Sequence, residues 1–106
     1  MCVPAVLIKS NIEMVTGMVN KRIRNKSELL KAIAHPVRLC IIRRLIEKPR
    51  NVSEMHSCLK KPQSTISQHL GKLREARIIE GKRNGTHVCY KVINEEVKKI
   101  VAILFS

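Results

Sequence analysis

In the stretch NVSEMHSCLKKPQSTISQHLGKLREA, residues 51–76, the side chains able to do chemistry are hydroxyls, amides and cations. Ser64, Gln68 and Lys72 recur every four residues, a spacing that stacks them on one face of a helix. Ile66, Leu70 and Leu73, at i, i+4 and i+7, mark the opposite face as core. Short donors and an amide suit base edges, and ammonium groups suit phosphates, so the chemistry of this face is recognition of duplex DNA. Gln63, Ser64, Thr65, Ser67 and Gln68 are the candidates for base edges, while Lys60, Lys61, Lys72, Lys82 and Arg83 lie where phosphates should be. One alternative stays open: Thr65 and Gln68 have the spacing of a capping box, which would hold the Gln68 amide against its own helix.

Other chemistries ask for constellations absent from this sequence. All eight acids are glutamate, and no motif joins one to a histidine or cysteine as an acid–base or nucleophilic site requires, so an enzyme is the least favoured class. Cysteines 2, 40, 58 and 89 include no CxxC pair; free thiols in a reducing cytosol are the expectation, and with them a cytoplasmic protein. Cys40 reads as a small core hydrophobe. His35 belongs to the helix break before Pro36, His56 to the solvent edge of a helix, and His69 to the margin of the core face, where it packs or hydrogen-bonds. His87 lies on a strand, where a phosphate contact is open.

Composition bounds these readings. At 106 residues the chain is one domain with one modest core, which a dimer would supplement. Twenty-one Lys and Arg give a formal charge of +13, which fits a nucleic-acid backbone or an acidic membrane surface. The cations are spread along the chain instead of forming one juxtamembrane cluster, which favours nucleic acid over membrane. A single Tyr and a single Phe argue against single strands read by aromatic stacking. The apolar opening, residues 2–8, is too short for a membrane span and has no basic region ahead of it.

The elements that must position the polar face follow in order. Ile8, Ile12, Val15, Val19 and Ile23 recur at helical spacing, predicting a long amphipathic helix over about residues 5–24 that buries its stripe against a second subunit; Gly17 weakens it. The basic run at residues 21–26 separates it from a short helix capped by Asn25 or Ser27. Pro36 opens a largely apolar central helix to about Glu47, and residues 48–50 form a loop. The helix-turn-helix at residues 51–76 begins with a capping box of Asn51 and Glu54, with Val52, Met55, Cys58 and Leu59 as the apolar stripe of its first helix. Two strands within residues 78–92 bracket Asn84-Gly85, the pair suited to a type I′ hairpin turn, and form a basic wing. Asn94 caps a last helix, about residues 94–105, with Glu95 and Glu96 in its first turn; its stripe of Val97, Ile100, Val101, Ile103 and Leu104 is too wide for one small core and is expected to complete a dimer interface. The fold class is α+β, mostly α: a winged helix-turn-helix with long terminal dimerisation helices.

The segments LLKAIAHPVRLCIIRRL, VSEMHSCL, STISQHLGKLREARII and NGTHVCYKV, over roughly residues 27–97, together resemble the ArsR/SmtB family of winged-helix repressors. The Ser-x-His-Leu-x-x-Leu pattern at residues 67–73 is the most specific part. The resemblance implies a homodimer on an operator, repressing by blocking polymerase. The family's thiolate metal box, Cys-Val-Cys-x-x-x-Cys-like, falls where this chain has Asn51, Val52, Ser53 and Glu54; His56 is nearest its third ligand, and Cys58 lies roughly 200° round the helix from His56. The family's other metal site uses an acid and histidines on the last helix, where this chain has Glu95, Glu96 and no histidine. No metal and no cofactor are therefore expected. Some relatives sense oxidants through a cysteine on the central helix and one on the last; this last helix has none, and Cys89 could pair with Cys40 only if geometry allowed. The leading expectation is a dimeric, sequence-specific double-stranded DNA-binding repressor. A protein-interaction module for acidic partners and a thiol-based redox repressor are the alternatives.

Overall fold

A computed structural model describes residues 20–106, apart from the side chains of Ser57 and Cys58. Ile8, Ile12, Val15 and Val19 of the expected first dimerisation helix lie outside those residues. The described elements are α1 (Asn20–Ile33), α2 (Pro36–Glu47), β1 (Arg50–Asn51), α3 (Val52–Leu59), α4 (Gln63–Glu75), β2 (Ile79–Asn84), β3 (His87–Val92) and α5 (Glu95–Leu104).

The basic run does not separate two helices. Residues 21–26 lie inside α1, which runs unbroken from Asn20, so neither Asn25 nor Ser27 caps a helix start. Long basic side chains propagate a helix well, and only Ala32 and Ile33 of α1 are buried. The break expected at Pro36 is present: the His35 Nδ1 accepts from the Val37 amide at 3.1 Å and Pro36 occupies the first turn. Ile41, Ile42 and Leu45 of α2 are buried, while Ile46 is 39% exposed, so the central helix keeps a wetter face than its hydropathy predicts.

The core gathers α2, Met55 of α3, Ile66, Leu70 and Leu73 of α4, Ile78, Ile79 and Val92 beside the sheet, and Val97 and Val101 of α5. Each fully buried large aliphatic side chain contributes about 1.5–3 kcal/mol relative to exposure.

The wing has three strands, not two, in the order β1-β3-β2 and antiparallel throughout. The extra strand is the end of the expected loop: Arg50 and Asn51 pair with Tyr90 and Cys89. The hairpin turn also sits one residue later than Asn84-Gly85. Asn84 pairs with His87, leaving Gly85 (φ +67°) and Thr86 at the centre. A positive φ at the first central residue alone is the type II′ pattern, not type I′. The register follows from packing. It sets Ile79 opposite Val92, both buried, and Gly81 opposite Tyr90, where an added Cβ would meet the Tyr90 ring at 2.9 Å.

Candidate nucleic-acid interface

Two short linkers aim α4. Before α3, the Asn51 side chain accepts from the Glu54 amide at 2.9 Å and the Asn51 amide donates to the Glu54 carboxylate at 3.1 Å, the expected capping box. Between α3 and α4, Lys60 closes α3 in the left-handed region (φ 54°) and Pro62 occupies the N-cap of α4. The His56 Nδ1 contacts the Lys61 carbonyl and so ties the turn to α3. Arg50 fixes the approach from the other side, its Nε donating to the Arg44 carbonyl at 3.3 Å and its guanidinium pairing with Glu47 at 3.2 Å. Arg50 carries no signal in hydropathy or spacing, because its partners are a helix-end carbonyl and a carboxylate whose position only the turn defines.

On α4 itself Gln63, Ser64, Ser67, Gln68 and Lys72 are exposed, and Thr65 is half-buried beside the core residue Ile66. No side chain caps the N-terminus of α4, so the Thr65 and Gln68 capping box is not made. Helix formation begins at Gln63, which places Thr65 inside the first turn instead of at its boundary. Lys60 and Lys61 stand exposed at the entry to α4, and Lys82 and Arg83 near the wing tip. The polar face thus lies between two pairs of cations along the chain.

The histidines and cysteines have other surroundings. The rings of His35 and His69 lie 4.6 Å apart, tilted by 41°. Burial, followed by the neighbouring His35 and Arg38, holds the His69 imidazole below its usual pKa of 6.5. Cys40 and Cys89 are free thiols, both half-buried. Among the described residues, no group of three or more His, Cys, Asp or Glu side chains converges as a metal site would need, and no helix is long and apolar enough to cross a membrane.

The expected dimerisation stripe divides. Val97 and Val101 are spent on the chain's own core, at 0% and 3% exposure, which corrects their assignment to a partner. Ile100 is half-buried, whereas Ile23 (53%), Ile103 (74%) and Leu104 (59%) stand out in solvent.

A helix-turn-helix whose second helix exposes amides and hydroxyls, followed by a basic hairpin, defines a winged-helix domain of the DNA-binding class. The helix-turn-helix domain family matches residues 33–82. The transcriptional repressor PagR of Bacillus anthracis is 40% identical over 83 residues, covering 77% of this chain and 83% of that protein. Its crystal structure superposes with a TM-score of 0.74 at 38% identity, over 80% of this chain and 98% of the crystallised chain. HlyU from Vibrio cholerae N16961 gives a TM-score of 0.75 at 33% identity, over 79% of this chain and 91% of HlyU. The homodimeric winged helix-turn-helix DNA-binding domain of Mb0332 from Mycobacterium bovis gives 0.74 at 25% identity, over 80% and 79%. The chain belongs to the ArsR/SmtB family of winged-helix transcriptional regulators.

Proposed function

We propose that this chain is a homodimeric transcriptional repressor that binds double-stranded DNA with α4 in the major groove and the wing on the flanking backbone. The observation that carries the proposal is the exposed amide and hydroxyl face of α4, with Gln68 released from any capping role. Gln63, Ser64, Thr65, Ser67 and Gln68 read base edges; Lys60, Lys61, Lys72, Lys82 and Arg83 hold phosphates. Ile23, Ile100 and Leu104, with the apolar positions Ile8, Ile12, Val15 and Val19, form the partner-facing stripe. The repressor PagR and the homodimer Mb0332 support the same behaviour here. Twofold symmetry then asks for an inverted repeat with half-sites roughly 10–21 base pairs apart.

The protein acts in the cytoplasm as a regulator and not as an enzyme, with no cofactor and no membrane partner. Direct metal coordination does not release the DNA: Asn51 and Glu54, where the resemblance to the family would place a thiolate box, are occupied in capping α3.

Selection of bound duplex from a random library, followed by titration across a salt series, tests the proposal. Gln68→Ala should cost about 1–3 kcal/mol on the selected duplex and relax preference at one base pair. Arg83→Ala should weaken selected and random duplexes alike and make the log–log salt slope shallower by about 0.9. No enrichment of any sequence, with affinity for acidic proteins instead, overturns it in favour of an interaction module.

A further inference from the structure

The first turn of α2 lies against the outward flank of α4, and the cleft between them, about 270 Å³, is lined by Arg38, Gln68, His69, Gly71, Lys72 and Glu75. We propose that this cleft seats a DNA phosphodiester, with Arg38 as its ligand, so that α2 contributes a backbone contact beside the base-reading face. The inference rests on the DNA-binding function proposed above and adds to it a residue outside α4, the turn and the wing.

Three independent features converge on this seat. The first is an unanswered donor. Among the described residues the buried Arg38 Nε has no hydrogen-bond partner, and Arg38 is absent from the five ion pairs found there. Burial puts the Nε itself out of a phosphate's reach, but the guanidinium has no carboxylate partner among the described residues, and its remaining fork of donors matches a phosphate. The second is a glycine without an internal reason. Gly71 lies inside α4, where glycine weakens a helix, yet an added Cβ would meet nothing within 4 Å among the described residues. Packing among the described residues does not demand it; a bare stretch of helix that lets another backbone approach closely does. The third is placement. Gln68 and Lys72 line the cleft and also belong to the exposed face of α4, so a duplex lying on that face passes over the cleft mouth.

The charges fit a monoanion. Arg38 and Lys72 stand against Glu75 alone within the cleft, and the lowered pKa of His69 keeps a third cation out of it near neutral pH. Arg38, Lys72 and Glu75 also line the adjoining cleft toward α1, where Glu28 and Lys31 join them, so the two cations stand between Glu28 and Gln68. The phosphate belongs at the Gln68 end, where the first turn of α2 also presents its positive pole.

Equilibrium binding of the full chain to its selected duplex and to a random duplex, across a salt series, tests the seat. Arg38→Gln should weaken both duplexes about tenfold, as loss of one charged hydrogen-bonded contact does, and make the salt slope shallower by about 0.9. Arg38→Lys should restore the slope and only part of the affinity. Gly71→Gln, which fills the cleft with a better helix former, should raise the melting temperature while lowering affinity for both duplexes. An unchanged slope in a folded Arg38→Gln, or wild-type affinity in Gly71→Gln, overturns the seat while the DNA-binding function stands. Should Arg38→Gln fail to fold, the Arg38→Lys and Gly71→Gln results decide. Absence of salt-dependent binding by the unaltered chain would instead remove the DNA-binding function itself.

Discussion

The helix-turn-helix and the α1/α5 end of the molecule dispose of their apolar side chains in opposite ways. In the first, Met55, Ile66, Leu70 and Leu73 are at most 2% exposed, and the outward positions of α4 are polar. In the second, Ile23, Leu30, Ile103 and Leu104 are each more than half exposed, although α5 is firmly started by Asn94, whose side chain accepts from the Val97 amide at 3.0 Å. The reader of DNA has completed its core within one chain. The other end is well formed as a helix but, among the described residues, keeps an apolar face exposed, and at roughly 25 cal/mol per Å² that face is a reason to associate. A substitution at the first end should therefore cost the same at every protein concentration, whereas one on the exposed face of the second should act through association.

The largest test of this contrast is Leu73→Ala, which should cost about 2–5 kcal/mol in urea unfolding, equally at low and high protein concentration. A loss that disappears on concentrating the protein would mean that the helix-turn-helix too is finished by a partner. Next comes Leu104→Lys. It should weaken self-association at least tenfold, about 1.4 kcal/mol, with helical content preserved, as read by sedimentation equilibrium and circular dichroism. Unchanged association would detach the exposed α5 stripe from dimer formation. The contact of Arg43 with the Phe105 ring, 4.5 Å from its centroid, holds the end of α5 to α2 and should survive that substitution.

The caps give a smaller and sharper comparison. Asn51→Ala and Asn94→Ala should each cost about 1 kcal/mol. The first should also lower DNA affinity, because it loosens the approach to α4; the second should leave DNA contacts alone and act through association. Equal effects of both on DNA binding would erase the distinction between the two ends.

The smallest effects are those of pH. His69 has a folded pKa below its ordinary 6.5, so the unfolded chain binds more protons in the interval between the two values. Stability is thus full above about pH 6.5 and falls as the pH drops toward the lowered value. His69→Gln should flatten that part of a melting-temperature profile. At the other end, the hydrogen bond and charge of Lys26 hold the exposed Glu96 below its ordinary 4.5, so its contribution is present above that value and lost on further acidification. Lys26→Met should remove only this lower-pH step. If it instead altered the step near neutrality, the two ends would not titrate independently.

Periodicity alone placed α4, its core face and its outward polar face, because helical spacing is a local property that Ile66, Leu70, Leu73 and Gln68 declare in the sequence. The caps of α3 and α5, the break at Pro36 and the wing were legible for the same reason: each depends on residues within a few positions of one another. Tertiary structure decided what depends on neighbours far along the chain. It set the hairpin turn one residue later, since Ile79 must lie opposite Val92 and Gly81 beneath Tyr90, and it drew Arg50 and Asn51 into the sheet. It carried α1 through the basic run, assigned Val97 and Val101 to the chain's own core and left Leu104 outside, a division that no stripe can announce because all three lie on one apolar face. It also brought Arg38 beside Gln68 and Gly71, residues 30 and 33 positions apart in the sequence, into one cleft. Local spacing determines which face a side chain occupies; only the packing of distant elements determines what that face meets.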